Sequence, residues 1–243
     1  MEKIAVIGAG NMGSGIAQKT AQEGLDVVLL DMKQEFVDRG LGNIKKTLEN
    51  GVSRGIFRPE QVEKIIGRIQ GTTDIKETAG CDLVIEAIFE DMRAKTDLFK
   101  NLDRECPAET ILATNTSSFS VSELAAATGR PDRFIGLHFF YHPAKNRLLE
   151  IIPGSATSPD TVEAAKRYAL ATGKTEILVK DSPGFAVNRF FVPWLNEAVR
   201  ILDEGWAGTT TIEQAAKERF GVGMGPFELM NVTGIPIAFH STV

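Results

Sequence analysis

Cysteine, histidine and surplus positive charge are all scarce in this sequence. Its 243 residues hold two cysteines and three histidines. Cys81 and Cys106 show neither metal-ligand nor redox spacing, so they read as buried or inert thiols in a reducing cytoplasm. The 27 Lys and Arg against 32 Asp and Glu leave a net charge of −5, which argues against general affinity for nucleic acid. No continuous apolar span is long enough for a membrane, and a strand that begins almost at the first residue leaves no room for a cleavable signal. The expectation is therefore a cytoplasmic protein with neither a nucleic-acid nor a membrane partner. Internal repeats and low-complexity segments are absent too. What is present, 43% hydrophobic and 24% charged residues, is the balance of a globular protein with material for one large or two modest domains.

The chain is organised around its first residues. The apolar run Ile4 to Ile7 reads as a buried strand and leads into Gly8-x-Gly10-x-x-Gly13, where a helical pattern (Met12, Ile16, Ala17, Thr20, Ala21) opens at once. Gly8 permits the tight turn, Gly10 lets a pyrophosphate approach the backbone, and Gly13 lets helix and strand pack closely. The helix N-terminus offers N–H groups and a positive dipole end to phosphates. A second apolar strand, Val27 to Leu30, ends in Asp31. An acid there can accept hydrogen bonds from ribose hydroxyls and repels a 2′-phosphate. The ordinary alternative is a strand–turn–helix with a surface aspartate. The preferred reading is an NAD site, favoured over NADP.

From Lys33 to Arg68 eight basic residues face five acidic ones, a local excess of three, while the remainder carries 19 against 27. Apolar spacing there (Phe36, Ile44, Leu48, then Val62, Ile65, Ile66) suggests two helices joined near Gly51–Pro59. That hairpin is either a solvated charged face or a docking surface for a phosphate-rich ligand. Strands are then expected at Asp82–Ala87, Thr110–Thr114, Arg133–His138, Leu148–Ile152 and Thr175–Val179, with helices at Met92–Arg104 and Pro159–Ala171. Asp181-Ser182-Pro183-Gly184 reads as a domain boundary. Beyond it, Phe185–Leu202 reads as one long, largely apolar helix, and Thr211–Phe220, Phe227–Val232 and Ile235–Val243 show no strand pattern. The expectation is an α/β fold, a doubly wound and mainly parallel sheet over residues 1–181, followed by a smaller all-α domain over 182–243.

Functional groups of open α/β sheets gather beyond the carboxyl ends of strands, where Glu90, Asn115, Ser117 and His138 fall. His138 is suited to taking a proton from an alcohol near neutral pH. Glu150, flanked by Leu148, Leu149, Ile151 and Ile152, is costly to bury without a partner. If the two strands meet, its carboxylate can fix the imidazole tautomer and stabilise the imidazolium. The bland alternatives are a structural histidine and a sheet-edge charge. Ser120 and Glu123 form an S-x-x-E capping pattern, which leaves Ser117 to face the crevice. Lys95 reads by default as a surface lysine, Asn188 as a solvated residue, and His142 and His240 as loop or surface histidines.

The chain resembles the 3-hydroxyacyl-CoA dehydrogenase family over essentially its whole length. The resemblance is carried, in order, by Ile7-Gly8-Ala9-Gly10-Asn11-Met12-Gly13, Val84-Ile85-Glu86-Ala87-Ile88-Phe89-Glu90, Asn115-Thr116-Ser117-Ser118, Gly136-Leu137-His138-Phe139-Phe140, Asp181-Ser182-Pro183-Gly184-Phe185-Ala186-Val187-Asn188-Arg189 and Met224-Gly225-Pro226-Phe227-Glu228-Leu229. It implies a Rossmann-type domain binding NAD through Gly8, Gly10, Asn11, Met12, Gly13, Asp31, Glu90, Lys95 and Asn115. It implies His138 as catalytic base, Glu150 as its partner, and Ser117 and Asn188 as contacts to an acyl-CoA thioester. The basic hairpin corresponds to the family's segment that meets the coenzyme A tail. The alternatives are a dehydrogenase of a small free hydroxy acid and a non-catalytic NAD-binding protein.

Two departures stand out. After Phe140 the family usually has Asn-Pro, where this chain has Tyr141-His142 before Pro143, which bears on acyl-chain preference. The family's helical domain also continues beyond the equivalent of Val243. The apolar tail from Phe227 to Phe239 is therefore expected to expose a patch that a second copy or further chain would cover, in a homo-oligomer or in the front module of a longer polypeptide.

Overall fold

The computed structural model describes residues 1–233. The expected Ile235–Val243 segment, including His240, lies outside the described residues. The chain divides into two compact units, Met1–Asp181 and Ser182–Val243.

The first unit begins β1 (Lys3–Ile7), α1 (Asn11–Gln22), β2 (Asp26–Leu30), α2 (Gln34–Ser53), α3 (Pro59–Ile66) and β3 (Ile69–Thr72). It continues with β4 (Leu83–Glu86), α4 (Met92–Glu105), β5 (Ile111–Thr114), α5 (Val121–Ala125), β6 (Phe134–Phe139), β7 (Leu148–Pro153), α6 (Pro159–Ala171) and β8 (Thr175–Leu178). The eight strands form one sheet in the order β3-β2-β1-β4-β5-β6-β7-β8. All pairings are parallel except β6 with β7, which is antiparallel. The order reverses between β1 and β4, the switch point outside which an open α/β sheet leaves a ligand crevice. This is a Rossmann-type sheet.

Local chemistry explains the elements. The residues Ile4, Ala5, Val6, Val28, Leu29 and Val84 are 0% exposed, as expected where helices cover both faces of parallel strands. In α4 the buried residues are Lys95, Phe99 and Leu102, spaced along one face, and Asp91 caps the helix by accepting from the Ala94 N–H at 2.8 Å. Ser158 caps α6, with Pro159 in its first turn. The basic hairpin is α2 and α3, and it ends in β3, a strand the periodicity did not reveal. Only Ile69 of β3 is buried, because it is the sheet's edge and pairs on one side alone. The hairpin is thus the whole crossover between β2 and β3.

The second unit contains α7 (Asn188–Asp203), α8 (Thr209–Phe220) and α9 (Pro226–Thr233). The long helix starts at Asn188 and not at Phe185. Gly184 and Phe185 have φ of +73° and +47°, left-handed conformations that a right-handed helix cannot contain. The structure describes part of the expected apolar tail, and Phe190, Trp206 and Phe220 elsewhere in this unit are 79, 78 and 73% exposed. No described helix is long and apolar enough to cross a membrane.

Candidate active site

The turn from β1 to α1 is built as a cradle. Gly8 has φ +105°, and a Cβ there would lie 2.5 Å from the Ala87 carbonyl oxygen. A Cβ on Gly13 would lie 1.7 Å from the Gly8 oxygen, so the helix packs on the turn at a distance only glycine allows. At Gly10 a Cβ would meet nothing within 4 Å, so this position faces open space. No side chain caps α1, and no acid stands in its first turn. The backbone N–H groups of Asn11, Met12 and Gly13 thus form an uncapped, positive helix end. Asp31 closes the cradle: Oδ2 accepts from the Ala9 N–H at 2.7 Å and Oδ1 from the Met32 N–H at 2.7 Å. A dinucleotide fits this chemistry, with phosphate at the helix end and ribose hydroxyls at the carboxylate.

A buried polar chain runs from β4 toward the next turn. Glu86 and Lys95, with side chains 0% and 1% exposed, are paired with Nζ and Oε1 2.5 Å apart. Glu86 also accepts from the Ile88 N–H at 2.8 Å and the Thr114 hydroxyl at 2.7 Å. Lys95 reaches Glu90 Oε2 at 3.2 Å. Glu90 Oε1 in turn accepts from the Thr116 hydroxyl, the Ser117 N–H at 3.1 Å, and the Ser118 N–H and hydroxyl at 3.2 and 2.9 Å. Burial pushes the Glu90 carboxyl up, but the Lys95 ammonium and the Thr116 and Ser118 hydroxyls outweigh it and hold the group below the ordinary glutamate range. Lys95 is therefore no surface lysine. Its ammonium lies behind Glu90, and the pair shapes the 115–118 turn. Breaking the buried Glu86–Lys95 pair by removing one partner costs about 3–5 kcal/mol.

His138 and Glu150 are brought together by the antiparallel pairing. They stand opposite each other in the β6–β7 register, with Nδ1 2.6 Å from Oε2 and side chains 7% and 0% exposed. The Phe140 ring lies 4.5 Å from the imidazole, centroid to centroid. Asn115 bridges β5 to β6, its Oδ1 accepting from the Phe139 N–H at 2.9 Å. With Nδ1–H given to a carboxylate, Nε2 is the basic nitrogen of the ring. Ser117 is half-buried on the turn that Glu90 holds. Asn188 is the first residue of α7 and belongs to the second unit.

Two comparisons decide the family. The model for the 3-hydroxyacyl-CoA dehydrogenase NAD-binding domain matches residues 3–182, and that for the C-terminal domain matches residues 184–243. The chain belongs to the 3-hydroxyacyl-CoA dehydrogenase family. Within this family it is 45% identical over 233 residues to a probable 3-hydroxybutyryl-CoA dehydrogenase of Deinococcus radiodurans, covering 96% of this chain and 84% of that protein. A 3-hydroxybutyryl-CoA dehydrogenase of Clostridioides difficile is 40% identical, with 97% and 84% covered. The crystal structure of an (S)-3-hydroxybutyryl-CoA dehydrogenase from Ralstonia eutropha superposes with a TM-score of 0.92 at 35% identity, covering 99% of this chain and 85% of that one.

Three residues of this dehydrogenase scaffold escaped sequence reasoning. Glu86 anchors the polar chain, and its signal was a glutamate closing an otherwise apolar strand. Asp181 lies in a stretch read as a domain boundary and as part of a family motif, with no role of its own. Its carboxylate accepts from the Val121 N–H at 3.0 Å, the Ser122 N–H at 2.8 Å, and the Ser120 and Ser122 hydroxyls at 2.9 and 2.6 Å. The N-terminus of α5 is therefore capped from a distant segment as well as by Ser120, whose hydroxyl accepts from the Glu123 N–H at 3.3 Å. Lys174 gave no sequence signal at all. Cys81 and Cys106 are buried free thiols, and burial pushes both up, Cys81 to about 11. Among the described residues no cluster of His, Cys, Asp or Glu could hold a metal ion.

Proposed function

We propose that this chain oxidises the 3-hydroxyl of a 3-hydroxyacyl-CoA thioester to the 3-oxo compound, with His138 as the base. The observation that carries the reading is the buried His138–Glu150 contact of 2.6 Å on the sheet that also forms the dinucleotide cradle. The Gly8–Gly13 turn and Asp31 would hold NAD, whose chemistry there would be that of hydride acceptor for C3. His138 Nε2 accepts the hydroxyl proton as the C3–O bond becomes a carbonyl, help worth roughly 10²–10⁴ in rate. Glu150 holds the ring in the Nδ1–H tautomer and stabilises the imidazolium that forms. Ser117 holds the reacting oxygen and stabilises its developing charge, and the family resemblance assigns Asn188 of the second unit a substrate contact. Asp31 reads the ribose and favours NAD over NADP, and the Gly8–Gly13 turn takes the pyrophosphate. The α2–α3 hairpin meets the coenzyme A tail through its basic excess.

Exposed Phe190, Trp206 and Phe220 support self-association through the helical unit. The unpaired thiols support a reducing, cytoplasmic setting. The test is NADH formation with a series of 3-hydroxyacyl-CoAs and with free 3-hydroxybutyrate. Turnover of the thioesters alone is expected, and His138→Gln should lower kcat at least a hundredfold with NAD affinity within about twofold. Equal oxidation of free 3-hydroxybutyrate would overturn the coenzyme A assignment. NAD binding without any turnover would overturn the enzyme reading.

A further inference from the structure

A buried cation stands at the closed end of the β6–β7 hairpin. Lys174, between α6 and β8, is 5% exposed. Its Nζ donates to the carbonyl oxygens of Pro143 at 2.5 Å and Asn146 at 2.6 Å, and lies 5.3 Å from the centroid of the Phe139 ring. Both carbonyls belong to the connection between β6 and β7. That connection is bonded to itself, since the Lys145 and Asn146 N–H groups both donate to the His142 carbonyl, at 2.8 and 2.9 Å. The Ala144 N–H also donates to His142 Nδ1 at 3.2 Å. It presses on the dinucleotide helix as well: a Cβ on Gly15 of α1 would lie 2.9 Å from Pro143 Cδ.

Burying an ammonium is expensive. Desolvation pulls Lys174 down to about 8, and the Lys19 ammonium of α1, itself paired with Glu23, acts in the same direction. An apolar side chain of similar length would fill the same space at less cost. What only the ammonium supplies is a pair of donors for two carbonyls, that of buried Pro143 and that of half-buried Asn146.

We propose that Lys174 is a positioning residue for the reaction: it seats the Pro143–Asn146 turn against α1 and so fixes the His138–Glu150 hairpin relative to the dinucleotide cradle. This rests on the reaction assigned above. The turn is the hairpin's closed end, with His138 one residue from the end of β6 and Glu150 three residues into β7. Freed from its anchor, the hairpin can shift against α1, and a misplacement of about 1 Å can cost on the order of 10²-fold in rate.

The test uses the full chain and Lys174→Met, which keeps the length and removes the donors. Amide hydrogen exchange at Lys145 and Asn146, a readout independent of activity, should quicken at least tenfold. With 3-hydroxybutyryl-CoA, kcat should fall tenfold or more while the NAD Kd stays within twofold, and Lys174→Arg should return kcat to within threefold of the parent. If Lys174→Met does not fold, Lys174→Gln replaces it, since its shorter amide reaches one carbonyl at most and should show the same changes more weakly. Parental exchange or parental kcat in the folded variant overturns the proposal, as does an equal loss in Lys174→Arg. A parent that turns over no 3-hydroxyacyl-CoA overturns the reaction and this role together, whereas an active parent with parental variants overturns this role alone.

Discussion

Replacing Glu150 by Gln removes one charge with almost no change of shape, which makes it the sharpest probe of the dyad. The 2.6 Å contact sets the imidazolium and carboxylate charge centres roughly 4 Å apart, where their attraction at an effective dielectric of about 20 is about 4 kcal/mol. The proton is only partly transferred in the transition state, so about half of this, ~2 kcal/mol, is lost with the charge. Exchanging a charge-assisted hydrogen bond for a neutral one removes about 1 kcal/mol more. The sum, about 3 kcal/mol, predicts a fall in kcat of about 10²-fold. If the new amide turns its NH₂ toward Nδ1, the ring must carry its proton on Nε2 and can no longer act as base, and the loss rises toward 10⁴. The assay is NADH formation at saturating NAD and 3-hydroxyacyl-CoA, with NAD affinity and Tm measured separately. A folded Glu150→Gln variant with kcat within threefold of the parent would refute both the orienting and the electrostatic role.

Asp31→Ser should shift the NADP-to-NAD ratio of kcat/KM upward by at least about tenfold, through lost ribose hydrogen bonds and relieved repulsion of phosphate; equal use of both cofactors by the parent would show that Asp31 is not the reader. Gly13→Ala puts a Cβ 1.7 Å from the Gly8 oxygen, so Tm and NAD binding should both drop. Gly42→Ala, on an exposed face of α2 with nothing within 4 Å, should instead stabilise the chain by about 0.5–1 kcal/mol; a harmless Gly13→Ala would sink the close-packing account. Acid should act first on the Ser117 turn. The Glu90 and Asp181 carboxyls are both held below their ordinary values, so their stabilisation is complete above the unfolded values, roughly 4, and is lost as pH falls through the lower folded ones. Protection factors at Ser117, Ser118 and Val121 should therefore decline in acid before those of Ile4–Ile7, and protection that falls uniformly would contradict this.

Much of the fold was legible because local pattern suffices for it. The run Ile4–Ile7, the glycine spacing and Asp31 specify a strand, a tight turn and an acid at the next strand's end, all within one βαβ segment. The helices of the basic hairpin follow from apolar spacing. By itself the sequence also placed Glu150 among Leu149 and Ile151, a setting that demands a partner. The sequence offered His138 as that partner, and the tertiary structure decided that the two side chains meet. The connection over residues 140–147 is too short for a parallel crossover and so marks β6 and β7 as a hairpin, but only the register of that pair sets His138 opposite Glu150. The burial of Lys95 and Lys174 was illegible for the same reason. A charged side chain reads as exposed until the fold brings its acceptors to it, and those acceptors come from Glu86 and Glu90 in one case and from two loop carbonyls in the other. Edge strand β3 was hidden because a strand paired on one side needs little apolar sequence. Asp181 reaches back some 60 residues to cap α5, a contact that no periodicity encodes because its two ends meet only when the sheet is complete.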